Sequence, residues 1–344
     1  MSLSPEVEAA FGGPGKFTSN YFSVPPAKED PECKVAIHYL LHKSAASKEG
    51  KDRKVLLLIH GHPQNRLIWH RVCKQLVSDG DEWDIVIPDM RGRGLSSCPI
   101  VPPEAYQQSE LAHMKERYSK RTVARDLVLL MESLNLPKFY VVGHDRGGRV
   151  AHRLLADHGD SVHKAIILDI APTLDMYNQT DATFATVYWH WFFLLKQQPP
   201  PENFLVAAPE TYLGGLVARF PTSGGKQEEK QGEETFQLWA LESYKQGIST
   251  FELAHGCVEC YRASAPGGVD LTLDAEDREA GKRIAVPTVV IWGQKGWIQM
   301  GYKGGLDLWK KTMDNVTGYS VNCGHYIPEE KPSEVLKAIK DFFV

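Results

Sequence analysis

The chain has 344 residues, 39 Lys and Arg against 43 Asp and Glu, a net charge of −4 and a pI near 6.4. Apolar residues make up 42% and charged residues 24%, as in an ordinary soluble globular protein. There is no long basic run to engage nucleic acid or a membrane surface, no apolar segment near the ~20 residues that span a bilayer, and no signal-peptide pattern in MSLSPEVEAAFGG. A cytoplasmic enzyme acting on a small molecule is expected. The length fits one large α/β domain, or a core with a smaller lid.

Taken in order, Phe17–Val24 and Lys34–His42 read as two strands, and Lys43–Lys54 as a polar loop. Val55–Ile59 (VLLLI) is an unbroken apolar run, the mark of a strand buried on both faces of a parallel sheet. It enters His60-Gly61-His62-Pro63-Gln64. Helical spacing follows over Trp69–Asp79, then another buried strand, Asp84–Pro88, ending in the glycine-punctuated turn Asp89-Met90-Arg91-Gly92-Arg93-Gly94. Cys98–Met114 has no period and reads as a surface excursion. Thr122–Leu134 is an amphipathic helix.

Lys138–Arg149 (KFYVVGHDRGGR) organises the rest. A short apolar run ends in Gly-His-Asp-Arg-Gly-Gly, and a helical pattern, Arg149–His158, follows at once. A strand turning sharply into a helix around a glycine-flanked central residue is a nucleophile elbow. The central residue is Asp145, and a carboxylate there can attack carbon to form an ester that water then cleaves. The bland alternative is a glycine-rich turn with an Asp helix cap.

Ala165–Ile170 is the next strand. The strand pattern then stops until Pro287–Gly293 and Gly318–Val321, before a closing helix over Lys331–Val344. The expected architecture is α/β, a mostly parallel sheet flanked by helices with an inserted helical cap. The boundaries are core 1–171, cap 172–266 and core 267–344. His325, after the last strand, is the expected base. No carboxylate stands at Gln294-Lys295-Gly296-Trp297, so Asp169 is the candidate acid partner. Backbone N–H groups of His62 and Arg146 would form an oxyanion hole, with the His62 ring on the site floor. Arg146 and Arg149, beside the nucleophile, suit a carboxylate substrate, the alternative being a surface helix with two arginines. The six cysteines read as reduced thiols. The Cys257–Cys260 CxxC lacks a second pair and reads as coincidence.

His144-Asp145-Arg146-Gly147-Gly148-Arg149 and Leu168-Asp169-Ile170-Ala171-Pro172-Thr173 resemble the fluoroacetate (haloacetate) dehalogenase family of α/β hydrolases. The resemblance continues through Tyr188-Trp189-His190-Trp191, Pro200-Pro201-Glu202-Asn203, Cys260-Tyr261-Arg262-Ala263 and Cys323-Gly324-His325. It implies that Asp145 displaces halide from carbon and that His325, oriented by Asp169, activates water against the ester. It also implies that Arg146 and Arg149 hold the carboxylate, and that His190, Trp191 and Tyr261 donate to the halide. No metal or organic cofactor is implied, and a homodimer is the default expectation. The family's Phe is His62 here, and a cap position usually Trp aligns with Phe220, beside a long Thr222–Glu234 loop. An epoxide hydrolase uses the same Asp, His and acid, with two cap tyrosines drawn from Tyr261 and Tyr188, Tyr212 or Tyr244. A hydrolase of a larger carboxylic acid is the other alternative.

Overall fold

The computed structural model describes residues 3–45, 54–79, 82–217 and 235–343. Phe220 and the Thr222–Glu234 loop lie outside the described residues, as does most of the polar loop before the first buried strand.

Eight strands form one sheet: β1 Thr18–Val24, β2 Val35–His42, β3 Lys54–Ile59, β4 Trp83–Pro88, β5 Phe139–His144, β6 Val162–Leu168, β7 Thr288–Gly293 and β8 Val316–Val321. Their spatial order is β1-β2-β4-β3-β5-β6-β7-β8. Only the β1–β2 and β2–β4 pairings are antiparallel. The unbroken apolar runs take the interior positions, and β1, with mostly exposed and half-buried residues, takes an edge.

Successive side chains alternate across the sheet. Val55, Leu57 and Ile59 face Leu127, Leu130 and Leu154 on one side. Leu56 and Leu58 face Val72, Leu76, Val335 and Ile339 on the other. Helices Lys120–Ser133 and Arg146–His158 therefore cover one face, and helices His70–Ser78 and Pro332–Phe342 the other. Between β6 and β7 the elements among the described residues are helices joined by turns, from Thr173–Asn178 to Phe251–Arg262 and Val269–Glu279. No helix among the described residues is long and apolar enough to cross a membrane.

Cys98–Met114 runs mostly over the surface, as expected, but it is locally ordered and anchored. It carries 3₁₀ turns at Pro103–Tyr106 and Ser109–Tyr118. Val101, Ala105 and Tyr118 are buried in a small core with Ala263 of the insertion. Irregularly spaced anchors can bury a segment without a helical or strand period. The helix after the elbow also begins three residues before its apolar pattern, at Arg146, because the strand turns into it directly.

One buried carboxyl marks the far side of the sheet. Glu329 accepts from the Tyr244 hydroxyl (2.9 Å), and the Gln64 amide lies 3.4 Å away. Burial pushes Glu329 up to about 8 against those polar neighbours. The folded chain then keeps a proton that the unfolded chain releases near 4.5. Stability from this group is full below that value and is lost as pH rises to about 8. Glu329→Gln is expected to flatten the fall in Tm between about pH 5 and pH 9. Calorimetric melts checked across that range would oppose this if the two proteins lost Tm in parallel.

Candidate active site

The register brings four strand ends to one place. Ile59 pairs with Gly143, His144 with Leu168, and Leu168 with Ile291. The loops leaving β3, β5 and β6 thus start side by side, which sets His62, Asp145 and Asp169 together.

Asp145 has φ 49° and ψ −117°, an unfavourable conformation for a residue with a side chain, costing about 1–3 kcal/mol. Its side chain makes no capping bond to the helix it precedes, so the plain helix-cap alternative does not describe it. A Cβ at Gly147 would run into the carbonyls of Ile59 and His60, so only glycine lets the first helical turn pack there. The backbone N–H of His62 donates to Asp145 Oδ1 at 2.9 Å. Oδ2 faces His325 Nε2 at 3.8 Å. Burial raises the Asp145 carboxyl, but His325, His144, Arg149 and the His62 N–H outweigh it and hold it at about 2. The group is an anion at neutral pH.

Asp169 follows β6 and accepts from the Gly293 N–H at 2.8 Å through Oδ1. Its Oδ2 lies 2.6 Å from His325 Nδ1. A carboxylate accepts, so Nδ1 carries a proton, and Nε2 is the ring nitrogen that faces Asp145. His144 lies behind, its Nε2 2.8 Å from the His325 carbonyl. Burial and His325 bring His144 down to about 3, so it is a neutral donor that fixes the loop. The three residues are 7%, 1% and 3% exposed, in the order Asp145, Asp169 and His325, so any water held among them is shielded from bulk solvent.

Neither Arg146 nor Arg149 is on the surface; both are buried. Arg146 donates to the Cys260 carbonyl, to Ser264 Oγ (3.0 Å) and through Nε to Cys260 Sγ (3.4 Å). Its guanidinium lies 4.1 Å over the Tyr261 ring. Arg149 donates to the Ala171 carbonyl (3.2 Å), Thr173 Oγ1 (2.6 Å) and Met176 Sδ (3.2 Å), and lies 4.8 Å over Trp191. Its Nε is buried without a partner among the described residues. Burial and the adjacent Arg146 lower the Arg149 pKa, so its protonated state would be favoured by a further anion.

The rings of His62, His190, Trp191 and Tyr261 form one cluster, tied to Asp145 through the His62 backbone. The His62 ring is 5.4 Å from Tyr261 and 6.3 Å from His190, and Tyr261 is 5.8 Å from His190 and 6.3 Å from Trp191. Of the other tyrosines considered, Tyr212 bonds His62 Nε2 at 2.9 Å and Tyr188 stacks near His190. Tyr244 is bonded to Glu329 instead.

Sequence reasoning passed over three neighbours. Cys257 Sγ lies 3.5 Å from His62 Nδ1, and Arg93 Nη1 lies 3.1 Å from the same atom. Cys260 is pushed up by burial, but Arg146, Lys120 and Arg93 outweigh this and draw it down to about 6. The signal was the CxxC itself: two residues three apart on one helix share a face. Among the described residues, the one grouping with metal-ligand geometry is Glu202, His255 and Glu259. Arg262 Nη1 already lies 2.7 Å and 2.6 Å from its two carboxylates, so a guanidinium supplies the positive charge.

The family model described as the alpha/beta hydrolase fold matches residues 54–332. The chain is 32% identical over 293 residues to a fluoroacetate dehalogenase of Burkholderia sp, covering 85% of this chain and 88% of that one. It is 27% identical over 291 residues to a soluble epoxide hydrolase of Corynebacterium sp. (strain C12), covering 84% and 89%. A solved α/β-hydrolase structure from Nostoc sp PCC 7120 superimposes with a TM-score of 0.78 at 35% identity, over 95% of this chain and 98% of that one.

Proposed function

Since this chain belongs to the α/β hydrolase family, we propose that it is a hydrolytic dehalogenase of short 2-haloacids such as fluoroacetate or chloroacetate. The observation that carries this choice of substrate is Arg149. It is a buried guanidinium one helical turn beyond the nucleophile; among the described residues its hydrogen bonds go to neutral acceptors and its Nε has no partner. A substrate carboxylate would supply the missing anion. Arg146 would support the same group, although its bonds to Cys260 and Ser264 already occupy part of its fork.

In this mechanism Asp145 Oδ2 attacks the halogen-bearing carbon opposite the leaving group, since Oδ1 is engaged by the His62 N–H. A C–O bond forms, the carbon–halogen bond breaks with inversion, and halide departs toward His190, Trp191 and Tyr261. His325 Nε2 then takes a proton from water, which attacks Cγ of the ester. Negative charge developing on Oδ1 is met by the His62 N–H. Collapse expels the alkoxide oxygen of the 2-hydroxyacid, which takes the proton back from His325 Nε2, and the Asp145 carboxyl then releases the proton that came with the water to return to a carboxylate. Asp169 holds the imidazole in the required tautomer throughout.

One observation favours a second reading, an epoxide hydrolase. Tyr261 and Tyr212 flank His62 at 5.4 Å and 5.7 Å, where two phenols could protonate an opening epoxide oxygen. Halide release from fluoroacetate, chloroacetate and bromoacetate, measured beside diol formation from styrene oxide, separates the two. Arg149→Met sharpens the test: kcat/KM for chloroacetate is expected to fall about 10²-fold or more, with neutral chloroacetamide changed only a few-fold. Equal losses on both would remove Arg149 from carboxylate binding and favour the epoxide.

A further inference from the structure

Arg146 is a buried cation whose bonds reach no carboxylate among the described residues. Its Nη2 donates to the Cys260 carbonyl and to Ser264 Oγ (3.0 Å), and its Nε to Cys260 Sγ (3.4 Å). Ser264 supplies no charge, and its own proton goes to Asp270 Oδ2 at 2.6 Å. Asp270 is committed to a second cation. It accepts from the Lys120 backbone N–H (2.7 Å) and lies 3.3 Å from Lys120 Nζ. Lys120 Nζ also reaches the Cys260 carbonyl (3.2 Å) and Cys260 Sγ (3.5 Å). One sulfur therefore stands between a guanidinium and an ammonium. Both must donate to it, because neither can accept.

A thiol there would face two cationic donors with no acceptor for its own proton among the bonds described, whereas a thiolate accepts from both. The groups around the sulfur come from four elements. Arg146 lies on the helix after the elbow, Lys120 opens helix Lys120–Ser133, Asp270 belongs to helix Val269–Glu279, and Arg93 adds its charge from the loop after β4. Backbone packing fixes that loop on the Cys260 helix: a Cβ on Gly92 would lie 2.9 Å from Gly256 Cα, and one on Gly256 would lie 2.6 Å from Gly92 Cα. On the same helix, burial keeps Cys257 and Tyr261 neutral. The three cations outweigh burial at Cys260 and bring it down to about 6, so it is ionised at neutral pH. Burial pushes the other five thiols up instead.

We infer that Cys260 is a thiolate, the internal counterion that holds Arg146 beside the nucleophile and leaves the substrate carboxylate mainly to Arg149. Cys260 is a positioning residue that acts through Arg146. Without it, Arg146 would turn to Asp145, the residue before it, whose charge it already feels. A carboxylate drawn into that pair is a weaker nucleophile. The role in turnover rests on the Asp145 chemistry proposed above; the charge on the sulfur does not.

Thiolate ultraviolet absorption tests the charge. In the unsubstituted protein one thiolate is expected at about pH 8, lost as pH falls through about 6, and absent from Cys260→Ser. Because the other thiols stay protonated over that range, the native protein alone gives the answer, and no thiolate signal would overturn the inference. In turnover, Cys260→Ser is expected to lower kcat for chloroacetate about 10-fold with KM changed less than about 3-fold, and Cys260→Asp, a fixed anion, to restore most of kcat. A Cys260→Asp protein no better than Cys260→Ser would remove the counterion role. If no probe is turned over, the Asp145 chemistry fails by itself, and the absorption still decides the charge on Cys260.

Discussion

Asp145→Asn is expected to lower turnover by at least about 10⁴-fold on every substrate the protein accepts, because the amide is a poor nucleophile while the fold around it is unchanged. The substitution keeps shape and removes charge. The His62 N–H can still donate to the amide oxygen that replaces Oδ1. Melting temperature is expected to hold or rise, since a buried carboxylate in a strained backbone conformation serves function rather than stability. Substantial halide or diol formation by a folded Asp145→Asn protein would rule out a covalent ester on this residue. Direct attack of water would then have to be considered, with His325 alone as base.

The second large effect belongs to His325→Asn. The Asn side-chain nitrogen can stand near the place of Nδ1 and preserve the bond to Asp169 while deleting Nε2, the only part of the ring that faces Asp145. The first half-reaction needs no base, so it should proceed once per molecule and stop. Intact mass then reads the chemistry directly. A haloacetate ester adds ~58 Da whichever halogen departed, whereas a styrene oxide adduct retains all its atoms and adds ~120 Da. Peptide mapping should place the addition on Asp145. A variant that turns over normally, or that accumulates no adduct with any of these substrates, would remove His325 from the hydrolysis of an ester.

The sheet was legible because strands buried on both faces must be apolar throughout: VLLLI, DIVIP and TVVIWG each correspond to an interior strand. The elbow was legible because its glycines are demanded by backbone contact, and Asp169 because β7 is followed by no carboxylate. What could not be read is pairing across the core and insertion. Arg93 and Cys257 are 164 positions apart yet meet at one nitrogen of His62. No local period encodes that meeting. For the same reason the two arginines, readable as a surface pair, are buried: neighbours distant in the chain, Tyr261 and Trp191, cover them. The two buried anchors of Cys98–Met114, Val101 and Ala105, were not legible because 3₁₀ turns have no long apolar repeat and the anchors show only against Ala263.

The contact of Gly92 with Gly256 bears on how a molecule enters. Backbone touches backbone there, with no side chain between to slide or change rotamer. Helix Phe251–Arg262 is held at its middle against the loop leaving β4. On the function proposed above, the wall that carries Tyr261 and both cysteines is expected to stay with the sheet, and substrate to enter by movement of the other helices of the insertion. A single added methyl group at this crossing would force the two layers apart.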